Sequence, residues 1–437
     1  MTGAAYIVGD VRDTLSTVPD NSVDLILTSP PFLALRSYLP ADHPDKHREI
    51  GSEPGPAEFL DTLLGLSAEW RRVLAPHGSI AIELGDTYSG SGGAGGDYAP
   101  DGMRAGQSKF DGSNHRRGRI VDHDSGRRTP GPGWPLAKSL AMIPELYRVA
   151  LAYGIHPLTG EPSPAGSWRV RNVVRWARPN PPVGALGDKF RPATSDMVIA
   201  CTSRTRYFDL DSVREPSSPN TNARTAKGVA ARPNDCKTSP DGNRDSLSIQ
   251  HRHDTAPPLD HWWADPDDTF DQDAWLIPTH GFPGAHYATF PPALCVRPIE
   301  AMCPRRVCTV CGEPSRRIVE LESHGEWCRT DLADSSVNHG GPGTHGDRTR
   351  QSTTLGWSDC GHNAWRPGIV LDPFGGSGTT AVVATGHGRN CLLIDLDERN
   401  ADLARNRVGM FLSVIRHGEP LPDWLSSPHG PRVEVAS

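Results

Sequence analysis

Apolar and polar positions along this chain follow two periods, and the places where the period changes mark the elements. Residues 5–9 and Val23 to Thr28 are short apolar runs of the length and composition of buried strands. Between Ala57 and Leu74 the apolar residues Phe59, Leu60, Leu63, Leu64, Leu66, Trp70 and Val73 fall on one helix face, and Pro76-His77-Gly78 is expected to stop that helix. Ser79 to Leu84 predicts another strand. Strand and helix in alternation predict a parallel α/β sheet. Residues 88–133 lose the pattern; they are rich in Gly, Ser, Asp and Arg, and a loop of that length is a functional or a disordered insertion. Helical spacing returns from Pro135 to about Tyr153, and Trp168–Trp176 and Asp196–Cys201 predict two strands joined by a Pro/Gly-rich turn. Residues 213–280 are polar again, and 286–302 read as a short structured segment. The chain closes with a strand at 368–371, a helix from about Thr379 to Thr385, a strand from Asn390 to Ile394 and a helix from Asn400 to about Ser413. No internal repeat is visible.

Composition narrows this picture. Hydrophobic residues are 36% of the 437, with 45 Gly and 41 Pro, so a core forms but long irregular segments surround it. The formal net charge of -7 argues against non-specific binding to nucleic acid by overall charge, since that depends on phosphate neutralisation. Local clusters remain at Arg116-Arg117-Gly118-Arg119, Arg127-Arg128, Arg305-Arg306 and Arg316-Arg317. For any one of them a solvated loop is the plainer reading. No apolar run approaches a membrane span and no signal peptide opens the chain, so a cytoplasmic protein with no membrane partner is expected. The 9 cysteines, several of them between Cys303 and Cys360, then favour metal binding over disulfides.

Two strings carry the chemistry. Ile369-Val-Leu-Asp372-Pro-Phe374-Gly375-Gly376-Ser-Gly378-Thr379-Thr380 is a strand, a glycine-rich turn and a helix start. Glycine allows close approach of backbone to a ligand, and the amides of a helix start favour a carboxylate. A second strand ends at Asp395, where a carboxylate can take the two ribose hydroxyls of an adenosine cofactor. The other string is Thr28-Ser29-Pro30-Pro31-Phe32, at the end of a strand. The exocyclic amine of cytosine or adenine is a poor nucleophile because its lone pair is delocalised into the ring. Acceptors for its N–H groups push it toward tetrahedral geometry. Ser29 offers a hydroxyl oxygen, Pro30 a carbonyl aimed by a stiff corner, and Phe32 a face for an extruded base. No Pro-Cys nucleophile occurs, so cytosine C5 chemistry is not expected.

These strings, in this order, resemble the beta class of amino-methylating DNA methyltransferases, whose permuted order puts the catalytic motif first. The likeness extends to Ile7-Val-Gly-Asp10, Ile50-Gly-Ser-Glu53, Glu83-Leu-Gly-Asp86, Arg171 to Trp176 with Pro179-Asn180-Pro181, Tyr207-Phe-Asp209, and His286 to Ile299. Where the family usually has Lys before Pro-Asn, this chain has Arg178. The resemblance implies a Rossmann-like α/β sheet binding S-adenosylmethionine. Ser29, Pro30, Pro31 and Phe32 would be catalytic, and Asp10, Asp372, Phe374, Gly375, Gly376, Gly378, Thr379 and Asp395 would hold the cofactor. In the family, Ser-Pro-Pro-aromatic is usual for cytosine N4 and Asp-Pro-Pro-Tyr for adenine N6. Cytosine N4 in double-stranded DNA is therefore favoured, as the modification half of a restriction–modification system whose endonuclease acts separately. Adenine N6 methylation is the first alternative; a non-catalytic, zinc-stabilised DNA-binding protein and an RNA-modifying enzyme are others.

Cys308-Thr-Val-Cys311-Gly312 has the spacing of a metal knuckle. Cys360-Gly-His362 is the best second half for a structural zinc, with Cys303 and Cys328 as rival ligands. The implied division is a catalytic half at 1–87 and 134–212, a Gly/Arg-rich insertion at 88–133, and a target-recognition region at 213–280. A cofactor half follows at 281–302 and 367–416, a zinc insertion at 303–366 and a tail at 417–437. Residues 88–133 and 312–359 compete with 213–280 for target reading.

Overall fold

The computed structural model describes residues 2–35, 38–39, 42–90, 130–178, 190–216, 252–253, 255–256, 290–324, 349–416 and 418–425. Most of the insertion at 88–133, most of the region at 213–280, Pro179-Asn180-Pro181, His286 to Thr289, Cys328 and the end of the tail lie outside them.

The first five strands are β1 (Ala4–Val8), β2 (Val23–Thr28), β3 (Leu74–Leu84), β4 (Arg169–Ala177) and β5 (Thr194–Cys201). Short pieces follow: β6 (Glu215–Pro216), β7 (Arg252–His253), β8 (Thr255–Ala256), β9 (Arg306–Cys308), β10 (Arg317–His324), β11 (Thr349–Trp357) and β12 (Trp365–Pro367). The last three are β13 (Ile369–Asp372), β14 (Asn390–Asp395) and β15 (Leu412–Arg416). Eight of these form one sheet in the order β15-β1-β14-β13-β2-β3-β5-β4. The six from β15 to β3 are parallel, and β5 runs antiparallel to both β3 and β4.

Helices cover both faces, which is why β2 and β13 are buried along their whole length. Helices α1 (Val11–Leu15), α2 (Pro56–Val73) and α3 (Ile143–Tyr153) pack with Ala5, Ile7, Val23 and Ile26 on one side. On the other, α4 (Pro292–Met302), α5 (Thr379–Gly386) and α6 (Glu398–Val408) pack with Tyr6, Leu25, Leu27 and Leu393. None of the described helices is long and apolar enough to cross a membrane.

Three boundaries differ from the expected ones. The final helix stops at Gly409, whose φ of 70° ends it, and Leu412–Arg416 is a strand beside β1. Strand β3 starts directly at Leu74, so Pro76-His77-Gly78 lies within a strand. Helix α3 begins only at Ile143, where the Asp86 carboxylate accepts from the amides of Met142 and Ile143 and so caps it.

The chain leaves β13 toward β14 and leaves β2 toward β3, although β13 and β2 are neighbours. Such a reversal opens a crevice beyond the strands' C-terminal ends, where open α/β sheets bind ligands. Its two walls are the Ser-Pro-Pro corner and the glycine turn.

Candidate active site

At the end of β2 the consecutive prolines force the chain out of the sheet. The Phe32 ring then lies on Gly85; a Cβ there would run into the ring's Cε2. Gly51, at φ +93°, lets a second loop close against the Phe32 carbonyl. The ring is thus clamped but only half-buried, with area left for a stacking partner. Ser29 Oγ donates to Glu83 Oε2 at 2.5 Å. That bond fixes the hydroxyl's hydrogen and turns its lone pairs outward as acceptors. Glu83, at the end of β3, is only 4% exposed, and burial raises its carboxyl above the ordinary value. Its other oxygen, Oε1, has no hydrogen-bond partner among the described residues. Arg178 offsets part of this charge electrostatically, stacks on Trp176 at 5.0 Å and donates to Ser195 Oγ at 3.2 Å.

Across the crevice, buried Asp372 closes the glycine turn. Its carboxylate accepts from Thr28 Oγ1 at 2.5 Å, Thr380 Oγ1 at 2.6 Å and the Phe374 amide at 3.1 Å. Thr28 immediately precedes Ser29, so this bond sets the two walls in register. Gly375 has no room for a side chain, since a Cβ would stand 2.8 Å from that of Leu393. Gly378, at φ +80°, is blocked in the same way by Ala404. Asp395 Oδ2 accepts from the Gly376 amide at 2.8 Å, and Oδ1 from the Asp397 amide and Asn400 Nδ2. Burial raises its carboxyl to about 6. Three donors leave lone-pair capacity on a carboxylate, so the side chain can still take a ribose hydroxyl. The positive-φ glycines and this carboxylate fit an adenosine-bearing cofactor.

The expected residues therefore divide. Ser29, Pro30, Pro31 and Phe32 share one wall, and Phe374, Gly375, Gly376, Gly378 and Asp395 the other. Asp372 shapes the turn: it has three donors, as Asp395 does, but at 1% exposed it is closed off, whereas Asp395 is only partly buried. Thr379 accepts from Arg407, which also holds Ser377. Asp10 caps α1 beside the Asp395 backbone, but Arg12 and Arg48 both pair with its carboxylate. An adenine would compete with them. The sequence reading assigned no role to Glu83, named there only within a family-like segment, and did not single out Arg407 or Tyr6, whose hydroxyl donates to the Gly376 carbonyl at 3.0 Å. Only Glu83 left a signal, as an acid at the end of an apolar run.

The four expected metal ligands also meet. Ligand atoms of Cys308, Cys311, Cys360 and His362 all lie within 4.8 Å of one another. A tetrahedral site with Zn–S near 2.3 Å implies edges of about 3.8 Å, so modest closure around an ion completes it. Gly312, at φ +70°, turns the chain so that the amides of Val310 and Cys311 point at Cys308 Sγ. Burial raises the Cys308 thiol, but these amides and the neighbouring thiols outweigh it and hold the group at about 6. Cys303 lies apart, buried behind Gly368.

A family model described as DNA methylase matches residues 23–307 and 365–406. The Type II methyltransferase M.SmaI of Serratia marcescens is 24% identical over 406 residues, spanning 92% of this chain and 89% of that protein. M.Cfr9I of Citrobacter freundii is 24% identical over 418 residues, 95% and 91% of the two chains. Among solved structures, a putative DNA modification methylase from Thermus thermophilus, complexed with S-adenosyl-L-methionine, aligns at a TM-score of 0.40 with 16% identity, covering 95% of this chain and 100% of that one. The PvuII DNA methyltransferase (cytosine-N4-specific) aligns at 0.41 with 12% identity, covering 92% and 86%. The family match begins at the strand that carries the Ser-Pro-Pro corner and ends in the helix behind the glycine turn. It takes in both walls of the crevice, and on it the chain belongs to the family of DNA methylases that act on N6 or N4 amino groups.

Proposed function

We propose that this DNA methyltransferase modifies cytosine N4 at a short duplex site, as the modification component of a Type II restriction–modification system. The Ser29–Glu83 bond carries the reading. With its hydrogen committed to Glu83, Ser29 has only lone pairs to offer, and an amine N–H is what they accept. The Pro30 carbonyl is a second acceptor on the same stiff corner, and Phe32 presents a face for an extruded base. Bound S-adenosylmethionine supplies a methyl group on a sulfonium, the electrophile. Asp395 would hold its ribose, and the turn at Gly375, Gly376 and Gly378 would admit the rest of the cofactor. As the amine attacks it becomes more acidic; Ser29 can take its proton only by passing its own to Glu83. Burial makes that carboxylate a better base than an exposed one. Ser29 rather than Asp at the corner favours cytosine over adenine, following the pattern of the family it resembles. The names of the relatives M.SmaI and M.Cfr9I, both Type II methyltransferases, support the restriction–modification setting.

A structural zinc ion on Cys308, Cys311, Cys360 and His362 belongs to the same proposal. All four ligands fall in 308–364, the stretch the family match skips, so the metal would clamp this chain's own insertion. Purified protein should contain one zinc per chain, and Cys311→Ser should lose it; metal-free protein of unchanged thermal stability would sink this part.

Nucleoside mass spectrometry of DNA treated with protein and S-adenosylmethionine tests the whole. N4-methylcytosine is the expected product. N6-methyladenine would keep the site and overturn the base assignment.

A further inference from the structure

Arginines outside the crevice are unevenly paired. Arg175 holds Asp196, Arg317 takes Asp209 with two nitrogens, and Arg366 is buried on Asp24. Arg169, Arg171, Arg204, Arg206, Arg305 and Arg316 have no carboxylate within ion-pair distance among the described residues. Five of them meet in one neighbourhood, and Arg204 lies two residues from Arg206 along the chain. Arg169 pairs with Cys201 across β4 and β5. Burial pushes the Cys201 thiol up, while Arg206, Arg171 and Arg169 together pull it down. Arg206 stacks on Phe208 at 4.5 Å and Arg316 over Tyr207 at 5.7 Å, so the segment 206–208 joins the two groups. Arg305 shares the Trp357 ring with Arg317. Stacking fixes a guanidinium plane and leaves its edge free to donate, the geometry that suits a phosphate.

Their place in the fold matters most. Parallel pairing puts Leu25 beside Val370 and Val23 beside Leu74, so residues 22–24, 366–369 and 74–79 form the sheet's N-terminal edge. Cys201 lies at that edge, one residue beyond the Ala200–Ile80 pair, and Tyr207 donates its amide to the His77 carbonyl there. Arg366, which follows the Cys/His cluster, reaches Asp24 at the root of β2. Asp24 and Ser29 are five residues apart on an extended strand, about 17 Å. A duplex over the crevice, with its base turned into the Ser-Pro-Pro corner, lies at the other end of the sheet.

We infer that this arginine face is a second phosphate-binding surface, taken by duplex DNA outside the target site. The inference rests on DNA being the substrate. Charge separation supports it: a chain of net charge -7 collects on one edge six arginines that have no carboxylate partner among the described residues. Such a surface would hold a methyltransferase on DNA between target encounters, since phosphate contacts position without reading sequence.

The test compares wild type with an R171Q/R204Q/R305Q triple variant on long genomic duplex already methylated to completion. These side chains are exposed, and S-adenosylmethionine affinity checks that the variant folds. Each lost phosphate contact should make the log–log salt slope on that DNA shallower by about 0.9, so a loss of roughly 2 to 3 is expected, while single-turnover methylation of a separate, unmethylated duplex at saturating concentration stays unchanged. An unchanged salt slope overturns the proposal, and so does a saturated rate that falls with binding, which would put these arginines at the target crevice. Capture of an acidic protein through this face, with DNA binding unaffected, would also overturn it. Because the slope is read without turnover, absence of any methylated nucleoside would count against the proposed reaction and leave this result standing.

Discussion

Replacing Ser29 with alanine removes the hydroxyl that links Glu83 to the base, and its two roles set the size of the loss. Toward the base its proposed role is that of acceptor for an amine that gains positive charge as it attacks. Such a charge-assisted hydrogen bond contributes about 1.5–3 kcal/mol, so methyl transfer should slow roughly 10- to 150-fold. Toward the protein it is a donor to Glu83 Oε2, and the buried carboxylate would lose that partner. An unpaired buried acceptor costs about 1–3 kcal/mol of stability, readable by urea unfolding. Glu83→Gln acts on the same bond from the other side. The amide can donate to Ser29 Oγ and occupy the lone pair that the amine needs, so a similar slowing is expected with a smaller stability loss. The decisive measurement is the double variant in single-turnover methylation at saturating cofactor. If Ser29 and Glu83 act as one unit, S29A/E83Q is no slower than the worse single variant. A loss equal to the product of the two single losses refutes the pairing. Cofactor affinity falling in step with rate would remove Ser29 from the chemistry altogether.

The remaining predictions concern the supports of the crevice. Burial raises Asp395 to about 6 in the free protein, and a protonated carboxyl is a poorer acceptor for ribose hydroxyls. Cofactor affinity should therefore be flat above pH ~7 and fall as pH drops through about 6, approaching tenfold per pH unit; a flat profile in calorimetric titration removes Asp395 from the site. Asp24 is fully buried, and although burial alone would raise it, Arg366 and His77 hold it well below the usual carboxylate range. Asp24→Asn leaves Arg366 buried without its charge partner and should cost about 3–5 kcal/mol in urea unfolding, whereas a D24L/R366M pair should recover much of that; a cost below about 1 kcal/mol would contradict the burial argument. Thr28→Val takes one of three donors from Asp372, so it should weaken cofactor binding and slow transfer together. A change in only one of them would show that the two walls are not coupled through that bond.

Periodicity found the core because the strands that form it are covered on both faces and read as continuous apolar runs. It found the two walls because glycine and proline are required where they stand, at Gly375, Gly378 and the Pro30-Pro31 corner. It failed where the deciding partner is far away in the chain. Nothing near Asp10 announces that Arg48 will pair with its carboxylate, and nothing near Asp372 that Thr28 will cross to it. Strand β15 was hidden for a local reason: Val408, Phe411 and Leu412 continue a helical spacing, and only Gly409 interrupts it. The role of Glu83 depends on lying one strand away from Ser29, a relation that exists only in the sheet.

Strand β2 connects these observations. Its root is held by Asp24, through Arg366, His77 and the Ile369 amide, and its tip by Thr28 on Asp372 and Ser29 on Glu83. A strand fixed at both ends holds the Ser-Pro-Pro corner in a defined place. The family match breaks after Val307 and resumes at Trp365, and these residues lie in β9 and β12, which pair with each other. The insertion thus leaves and re-enters the fold at neighbouring points of one ladder, where loop closure adds little entropic cost whatever the length between. Cys308 lies at the end of that ladder, opposite Trp365, and Cys360 and His362 come just before it. Ligands at the neck of an insertion fix its base and not its far end. The cluster would therefore set how 308–364 is mounted on the sheet, and Arg366, the next described arginine along the chain, anchors that mount to the root of β2.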